Sequence, residues 1–263
     1  MHDDPAASTA AAAGPLAVAD GPHGAAARTA ARAALTGSPD RVVAMRFADR
    51  RDAGRALGER LCAVGSPRGD TVVLGLPRGG VLVAAGVAAA LEAPLDVLVV
   101  RKLGLPWQPE LAMGAIAAVG NTVETVRVDA VLTAAGVDPE TFERVRQQEL
   151  AELRRREVAY RDGRPPVAVT GRSVVVVDDG LATGATMRAA VVAVRRQAPR
   201  DVVAAVPVGS PSACEALTRD VDALVCLSAP RSFRAVGQAY RDFSETSDAE
   251  VRTALAQAGG TAS

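Results

Sequence analysis

Residues 173–186, SVVVVDDGLATGAT, join a run of four valines to two adjacent aspartates and a turn of small residues. The valine run is typical of a strand that is buried on both faces of a sheet. Asp178 and Asp179 end this strand, where two neighbouring carboxylates repel each other and lose hydration. We therefore expect these carboxylates to hold hydroxyl groups, a cation or both.

The composition of the chain limits the classes of protein to consider. Its 263 residues suffice for one large α/β domain or two small ones, and its 30 basic and 30 acidic side chains cancel. This balance gives no global electrostatic argument for nucleic acid or an anionic membrane as partner, and we expect neither. No apolar run approaches the roughly 18 residues of a membrane-spanning helix.

The cysteines and histidines exclude several kinds of site. Cys62, Cys214 and Cys226 lie far apart without a CxxC pair, so we expect neither a zinc site nor a disulfide framework, and we expect a cytoplasmic location. Both histidines lie in residues 1–37, an alanine-rich stretch that we interpret as a disordered tail. The folded body therefore cannot use Ser-His-Asp or Cys-His catalysis.

From residue 41 onwards, apolar strands alternate with amphipathic helices. The pattern predicts an α/β fold, with a mostly parallel twisted sheet of about five strands and helices on both faces. A Gly120-Asn121 turn between apolar runs predicts a hairpin over residues 114–128. The predicted strands cover residues 71–76, 95–100, 173–177, 202–208 and 222–228, and the predicted helices cover residues 47–64, 81–93, 138–160, 185–197 and 211–219.

The loop 180–186, GLATGAT, has the features of a phosphate site. Its small residues leave backbone N–H groups uncovered, a helix begins directly after it, and Thr183 and Thr186 add hydroxyl donors. The loop lacks the lysine of a Walker A motif, and the strand end lacks the GxGxxG of a dinucleotide site. The sequence therefore predicts a phosphosugar site, in which the loop binds the phosphate and the two carboxylates bind the sugar hydroxyls.

Residues 173–186 resemble the PRPP-binding signature of type I phosphoribosyltransferases, where PRPP is 5-phosphoribosyl 1-pyrophosphate. That signature is an apolar run followed by two acids, small residues and TGGT or a near variant, from which this chain departs at Ala185. Through the order of its elements the resemblance extends over roughly residues 47–230. It implies that PRPP is bound by Asp178, Asp179, Gly180, Leu181, Ala182, Thr183, Gly184, Ala185 and Thr186.

The loop 76–80, LPRGG, also joins a predicted strand to a predicted helix. Gly79 and Gly80 allow close approach of the backbone, and Arg78 offers a planar set of donors. In the family that the chain resembles, the equivalent loop holds pyrophosphate, often through a non-proline cis peptide bond. The resemblance thus implies that Arg78, Gly79 and Gly80 bind the pyrophosphate of PRPP.

Residues 99–114, VVRKLGLPWQPELAMG, occupy the place of the mobile flap of this family. The resemblance implies that Lys102 contacts pyrophosphate, with Arg101 as second choice. Trp107 either covers the site or packs the loop onto the body of the domain. Glu110 is either a general base or an exposed carboxylate.

The resemblance implies transfer of ribose 5-phosphate from PRPP to a nitrogenous base or similar acceptor, with release of pyrophosphate. Lys102, Arg78, Asp178 and Asp179 are the expected catalytic residues. Mg²⁺ is the expected cofactor, bound mainly through substrate and water, without a dedicated metal cage. A non-catalytic regulatory relative that binds PRPP or a nucleotide stays open, whereas a kinase or phosphatase would need a lysine or DxD pattern that is not present.

The acceptor would bind in a hood built from residues 47–61 and 228–245. Phe233, Tyr240 and Phe243 in the second segment either stack on a base or anchor that segment to the core. We expect a transferase-like domain over residues 38–245, followed by a C-terminal helix and tail over residues 246–263. A homodimer is left open.

Overall fold

A computed structural model describes residues 46–65 and 70–259 of the chain, so the alanine-rich stretch 1–37 lies outside the described residues. The elements follow one another as α1 (Arg50–Ala63), β1 (Thr71–Gly75), α2 (Gly79–Leu91), β2 (Leu95–Val97), β3 (Val100–Leu105), β4 (Gln108–Val119), β5 (Thr122–Arg127), α3 (Asp129–Ala134), α4 (Pro139–Arg161), β6 (Ser173–Val177), α5 (Ala185–Arg195), β7 (Asp201–Val208), α6 (Pro211–Leu217), β8 (Ala223–Ser228), a 3₁₀ turn (Val236–Ala239) and α7 (Asp248–Gly259).

A five-stranded sheet with the order β2-β1-β6-β7-β8 forms the centre of the fold, and all of its neighbouring strands are parallel. The α/β fold class and the five central strands predicted from the sequence are confirmed. Strand β6 occupies residues 173–177 as predicted, and the ends of β1, β7 and β8 differ from the prediction by one residue.

The central strand β6 explains why a continuous valine run is needed. Val175 and Val177 join the core that includes apolar residues of α1, α2, α4 and α7. Val174 and Val176 point to the opposite face, into the core made with α5 and α6. Because successive side chains of a strand point to opposite faces, a strand with helices on both sides must be apolar at every position.

The long helix α4 is held by a buried ion pair at its C-terminal end. Arg161 donates from Nε and Nη2 to the two carboxylate oxygens of Asp96, both at 3.1 Å. On its outer face, Arg146 pairs with Glu143, and Arg155 pairs with Glu152. These pairs are typical of a solvated helix face.

Strands β3, β4 and β5 form a second, antiparallel sheet, and here the sequence prediction was partly wrong. The strand expected over residues 95–100 ends at Val97, and residues 99–114 are largely hairpin arms rather than a loop. The arms shift register at Gly104, where an added Cβ would lie 2.5 Å from the Pro109 carbonyl oxygen. The hairpin predicted around Gly120 is confirmed as β4–β5. None of the helices in the described ranges has the length and apolarity to cross a membrane.

Candidate functional site

The acid pair and the LPRGG loop meet at the carboxyl edge of the sheet because β1 and β6 are neighbours. An added Cβ at Gly79 would lie 2.0 Å from Asp179 Oδ2, and one at Gly80 would lie 2.8 Å from the Asp178 Cα. Only glycine allows this approach, as the sequence predicted. The Pro77–Arg78 peptide bond is cis, in the loop where the resemblance implies one.

The loop 180–186 is fixed to the sheet through Leu181, and the Ala182 carbonyl accepts a hydrogen bond from the Ser210 hydroxyl at 2.7 Å. The Leu181 N–H donates to the Val208 carbonyl, and its own carbonyl accepts from the Ser210 N–H, both at 2.8 Å. Gly184 adopts a φ of 77° at the start of α5, which favours glycine. Thr183, Ala185 and Thr186 are exposed. Ala185 is the first residue of α5, so its backbone is already helical.

The two aspartates differ in their surroundings. Asp178 is half-buried, and its carboxylate accepts a hydrogen bond from the Asp179 N–H at 2.8 Å. Burial, together with the charge of Asp179, raises the pKa of Asp178 well above its usual range. The Asp179 carboxylate instead accepts a hydrogen bond from Arg50 Nε at 2.8 Å. One carboxylate of the pair therefore has an internal cation as a direct partner and the other does not.

Arg50 is a site residue that sequence reasoning missed. Its Nη1 donates to the Ser244 carbonyl at 2.8 Å, and its guanidinium lies 4.0 Å from the centre of the Phe243 ring. Nothing in the helical pattern distinguishes Arg50 from the other arginines of α1. The one available signal is its position directly after the N-cap Asp49, in the first turn of α1.

The segments 47–61 and 228–245 come together beside the acid pair. Phe47 forms a parallel β-bridge with Tyr240, whose hydroxyl donates to the Asp179 carbonyl at 2.6 Å. Burial raises the pKa of Tyr240, so its hydroxyl stays a donor. Tyr240 is buried and anchors the segment, whereas Phe243, stacked on it at 5.0 Å, is 38% exposed. Phe233 packs at the margin of the same cluster.

Arg78 extends from the LPRGG loop to the C-terminal segment, where its Nη2 donates to a carboxylate oxygen of Glu245. Both side chains are exposed, at 39% and 79% of their surface. The resemblance implies that the Arg78 guanidinium binds pyrophosphate, and in this structure its partner is a carboxylate, which like pyrophosphate offers anionic oxygens. Glu245 was not singled out by the sequence.

Lys102 is not joined to the acid pair by any hydrogen bond or ion pair of the described residues. It lies on β3, with Nζ 3.4 Å from the Glu110 carbonyl oxygen and 3.7 Å from its carboxylate. Glu110 is exposed, as one of its two interpretations required. Trp107 lies at the hairpin tip and is 62% exposed, so it does not pack the hairpin onto the body. Within residues 46–65 and 70–259, no three His, Cys, Asp or Glu side chains cluster as metal ligands.

Comparisons of the sequence with a family and with known proteins agree on one family. Residues 55–241 match the family described as "Phosphoribosyl transferase domain". The chain is 49% identical over 205 residues to "Putative phosphoribosyl transferase Rv0571c" of Mycobacterium tuberculosis H37Rv and equally to MT0597 of strain CDC 1551. These alignments cover 78% of this chain and 45% of each relative, so the chain spans about half their length. The crystal structure of TT1426 from Thermus thermophilus is 47% identical, with a TM-score of 0.72, over 81% of this chain and 99% of that one.

Proposed function

The chain belongs to the phosphoribosyl transferase family, and on that premise we propose that it transfers ribose 5-phosphate from PRPP to a small acceptor. The acceptor is a nitrogenous base or a similar nucleophile, and pyrophosphate is released. One observation carries the proposal: the loops 76–80 and 180–186 and the acid pair converge at one edge of the sheet.

Each part of PRPP has a matching group at this edge. The 5-phosphate would bind the exposed amides of loop 180–186 and the hydroxyls of Thr183 and Thr186. The ribose hydroxyls would donate to Asp178 and Asp179, of which Asp179 keeps an oxygen for this purpose while Arg50 holds Oδ2. The pyrophosphate would bind Arg78 and the amides of the loop 76–80, after Arg78 leaves Glu245.

The reaction then needs positioning and fixed charge. The acceptor nitrogen attacks C1 of the ribose, and the bond from C1 to the pyrophosphate oxygen breaks with inversion at C1. Negative charge grows on the departing pyrophosphate, where Arg78 and Lys102 would stabilise it. Lys102 would reach it by moving its own long, partly exposed side chain away from Glu110.

Two adjacent carboxylates suit magnesium, which prefers oxygen ligands and keeps several waters. Asp178 and Asp179 are the residues that would hold it, directly or through water, while the substrate supplies the other oxygens. The ion would supply neutralisation of pyrophosphate charge. It would also offset the burial and the charge of Asp179, which together raise the pKa of Asp178.

A second function stays in consideration because Asp179 and Arg78 both have internal partners, Arg50 and Glu245. A chain that binds PRPP or a nucleotide and regulates another molecule, without turnover, could use the same contacts. The length of the β3–β4 hairpin and the presence of Lys102 favour the enzyme.

The two functions separate in one pair of measurements. PRPP with Mg²⁺ is titrated by calorimetry, and pyrophosphate release is then measured with a panel of purine and pyrimidine bases. We expect binding and base-dependent release, both lost in Asp178→Asn/Asp179→Asn. Binding without release from any base would favour the regulatory function, and absence of PRPP binding in the folded wild type would contradict both.

A further inference from the structure

Two cysteines that are distant in sequence lie together behind the loop 180–186. Cys214 is on α6 and Cys226 is on β8, and both are free and partly accessible. An added Cβ at Gly209 would lie 2.5 Å from Cys214 Sγ and 3.5 Å from Cys226 Sγ, so both sulfur atoms lie against the same point of the backbone. The third cysteine, Cys62, is on α1 and donates to the Ala90 carbonyl instead.

We propose that Cys214 and Cys226 are an oxidation site for hydroperoxides, at which a reversible disulfide forms and weakens phosphate binding by the loop 180–186. The disulfide is a property of the two thiols alone. Its effect on the loop rests on the proposed function, because PRPP is the ligand used to detect it.

The surroundings of the two thiols assign their roles. They share a hydrogen bond, which lowers the pKa of Cys214 and raises that of Cys226, while Cys226 Sγ also lies 3.2 Å from the Ser228 carbonyl. Cys214 is therefore the thiol that ionises first and attacks, since the thiolate is the nucleophile. Cys226 keeps its proton during this first attack and gives it up only when it resolves the product.

The chemistry balances with one hydroperoxide as oxidant. The Cys214 thiolate attacks the peroxide oxygen, the O–O bond breaks, and a sulfenic acid forms with release of water or an alcohol. The Cys226 sulfur then attacks the Cys214 sulfur, the S–O bond of the sulfenic acid breaks, and the Cys226 proton passes to the departing hydroxide, so that the disulfide forms and water is released. Two thiols are oxidised by two electrons in total, and the peroxide accepts both. A dithiol reductant reverses the change by exchange.

The link to the phosphate loop passes through Gly209 and Ser210. The Ser210 N–H donates to the Leu181 carbonyl at 2.8 Å, and its hydroxyl donates to the Ala182 carbonyl at 2.7 Å. A disulfide draws the two sulfur atoms to about 2 Å from each other, so α6 and β8 must approach each other across Gly209. The hydrogen bonds that fix Leu181 and Ala182 then shift, and the phosphate amides shift with them.

The test treats the full chain with hydrogen peroxide and measures its intact mass, its alkylation by iodoacetamide and its PRPP affinity. We expect a loss of about 2 Da, alkylation at Cys62 alone, and PRPP binding about tenfold weaker until dithiothreitol restores it. Cys214→Ser and Cys226→Ser should each abolish the loss of mass, whereas the matched control Cys62→Ser should retain it.

The outcomes separate the two parts of the proposal. Continued alkylation of Cys214 and Cys226 after peroxide, or their separate oxidation to sulfinic acids, overturns the disulfide. A disulfide that leaves PRPP affinity unchanged overturns the effect on the loop. A reduced protein that binds no PRPP contradicts the proposed function, while the mass measurement still decides the disulfide.

Discussion

Glu245→Gln should tighten the binding of PRPP, because it releases Arg78 from an internal carboxylate. Glu245 and Arg78 form an ion pair whose side chains are 79% and 39% exposed. Exposed ion pairs contribute about 1 kcal/mol or less, and about 1.4 kcal/mol corresponds to a factor of ten in affinity. We therefore expect at most about a fivefold lower Kd, and a smaller gain at high salt, because screening weakens exposed pairs.

Calorimetric titration of PRPP at two salt concentrations measures this gain. Glu59→Gln, at an exposed position of α1, makes the same change of charge away from Arg78 and should leave Kd unchanged. In an Arg78→Ala background, Glu245→Gln should lose its effect, as a double-mutant cycle requires for two interacting residues. An unchanged or higher Kd in Glu245→Gln would refute the competition between Glu245 and pyrophosphate for Arg78.

Three further predictions concern the other site residues. Asp178→Asn should raise Tm at pH 7 and flatten the pH dependence of Tm. Because the pKa of Asp178 is raised in the folded state, that state loses stability as pH rises above the pKa of the unfolded chain, near 4, whereas asparagine does not ionise. An unchanged Tm profile in a pH series would contradict this. Arg50→Ala should destabilise the fold by about 3 kcal/mol in urea unfolding, because it leaves the Asp179 carboxylate without its cation, and a loss below about 1 kcal/mol would show that water replaces the guanidinium. Lys102→Ala should lower kcat about 100-fold with a smaller change in PRPP affinity, and equal rates of pyrophosphate release in variant and wild type would remove Lys102 from the mechanism.

The sequence predicted the parts of the fold that depend on local pattern. The valine run 173–177, the glycines of LPRGG and the turn at Gly120 each follow from burial or backbone geometry, which neighbouring residues determine. The same local reasoning placed the two loops at one edge, since parallel strands end there together.

The sequence did not predict the contacts made between distant segments. Arg50 and Asp179 are separated by 129 positions, and Arg78 and Glu245 by 167. Such pairs depend on how distant segments of the chain pack against one another, which no periodicity encodes. The β3–β4 hairpin was missed for another reason: Pro106 and Trp107 indicate a break in structure, and the antiparallel arms on both sides contain polar residues typical of a loop.

The register shift at Gly104 divides the β3–β4 hairpin into a base, which is held in place, and a short tip, which carries Trp107. Below it, Arg101 Nε donates to Glu149 of α4 at 2.7 Å, and Gln197 donates to Glu124 of β5 at 2.6 Å, so the base is held from two sides. Beyond the pivot, the three residues to Trp107 span about 10 Å at roughly 3.3 Å per residue. This length therefore limits how far Trp107 can move about Gly104. It also limits the size of an acceptor that Trp107 could enclose.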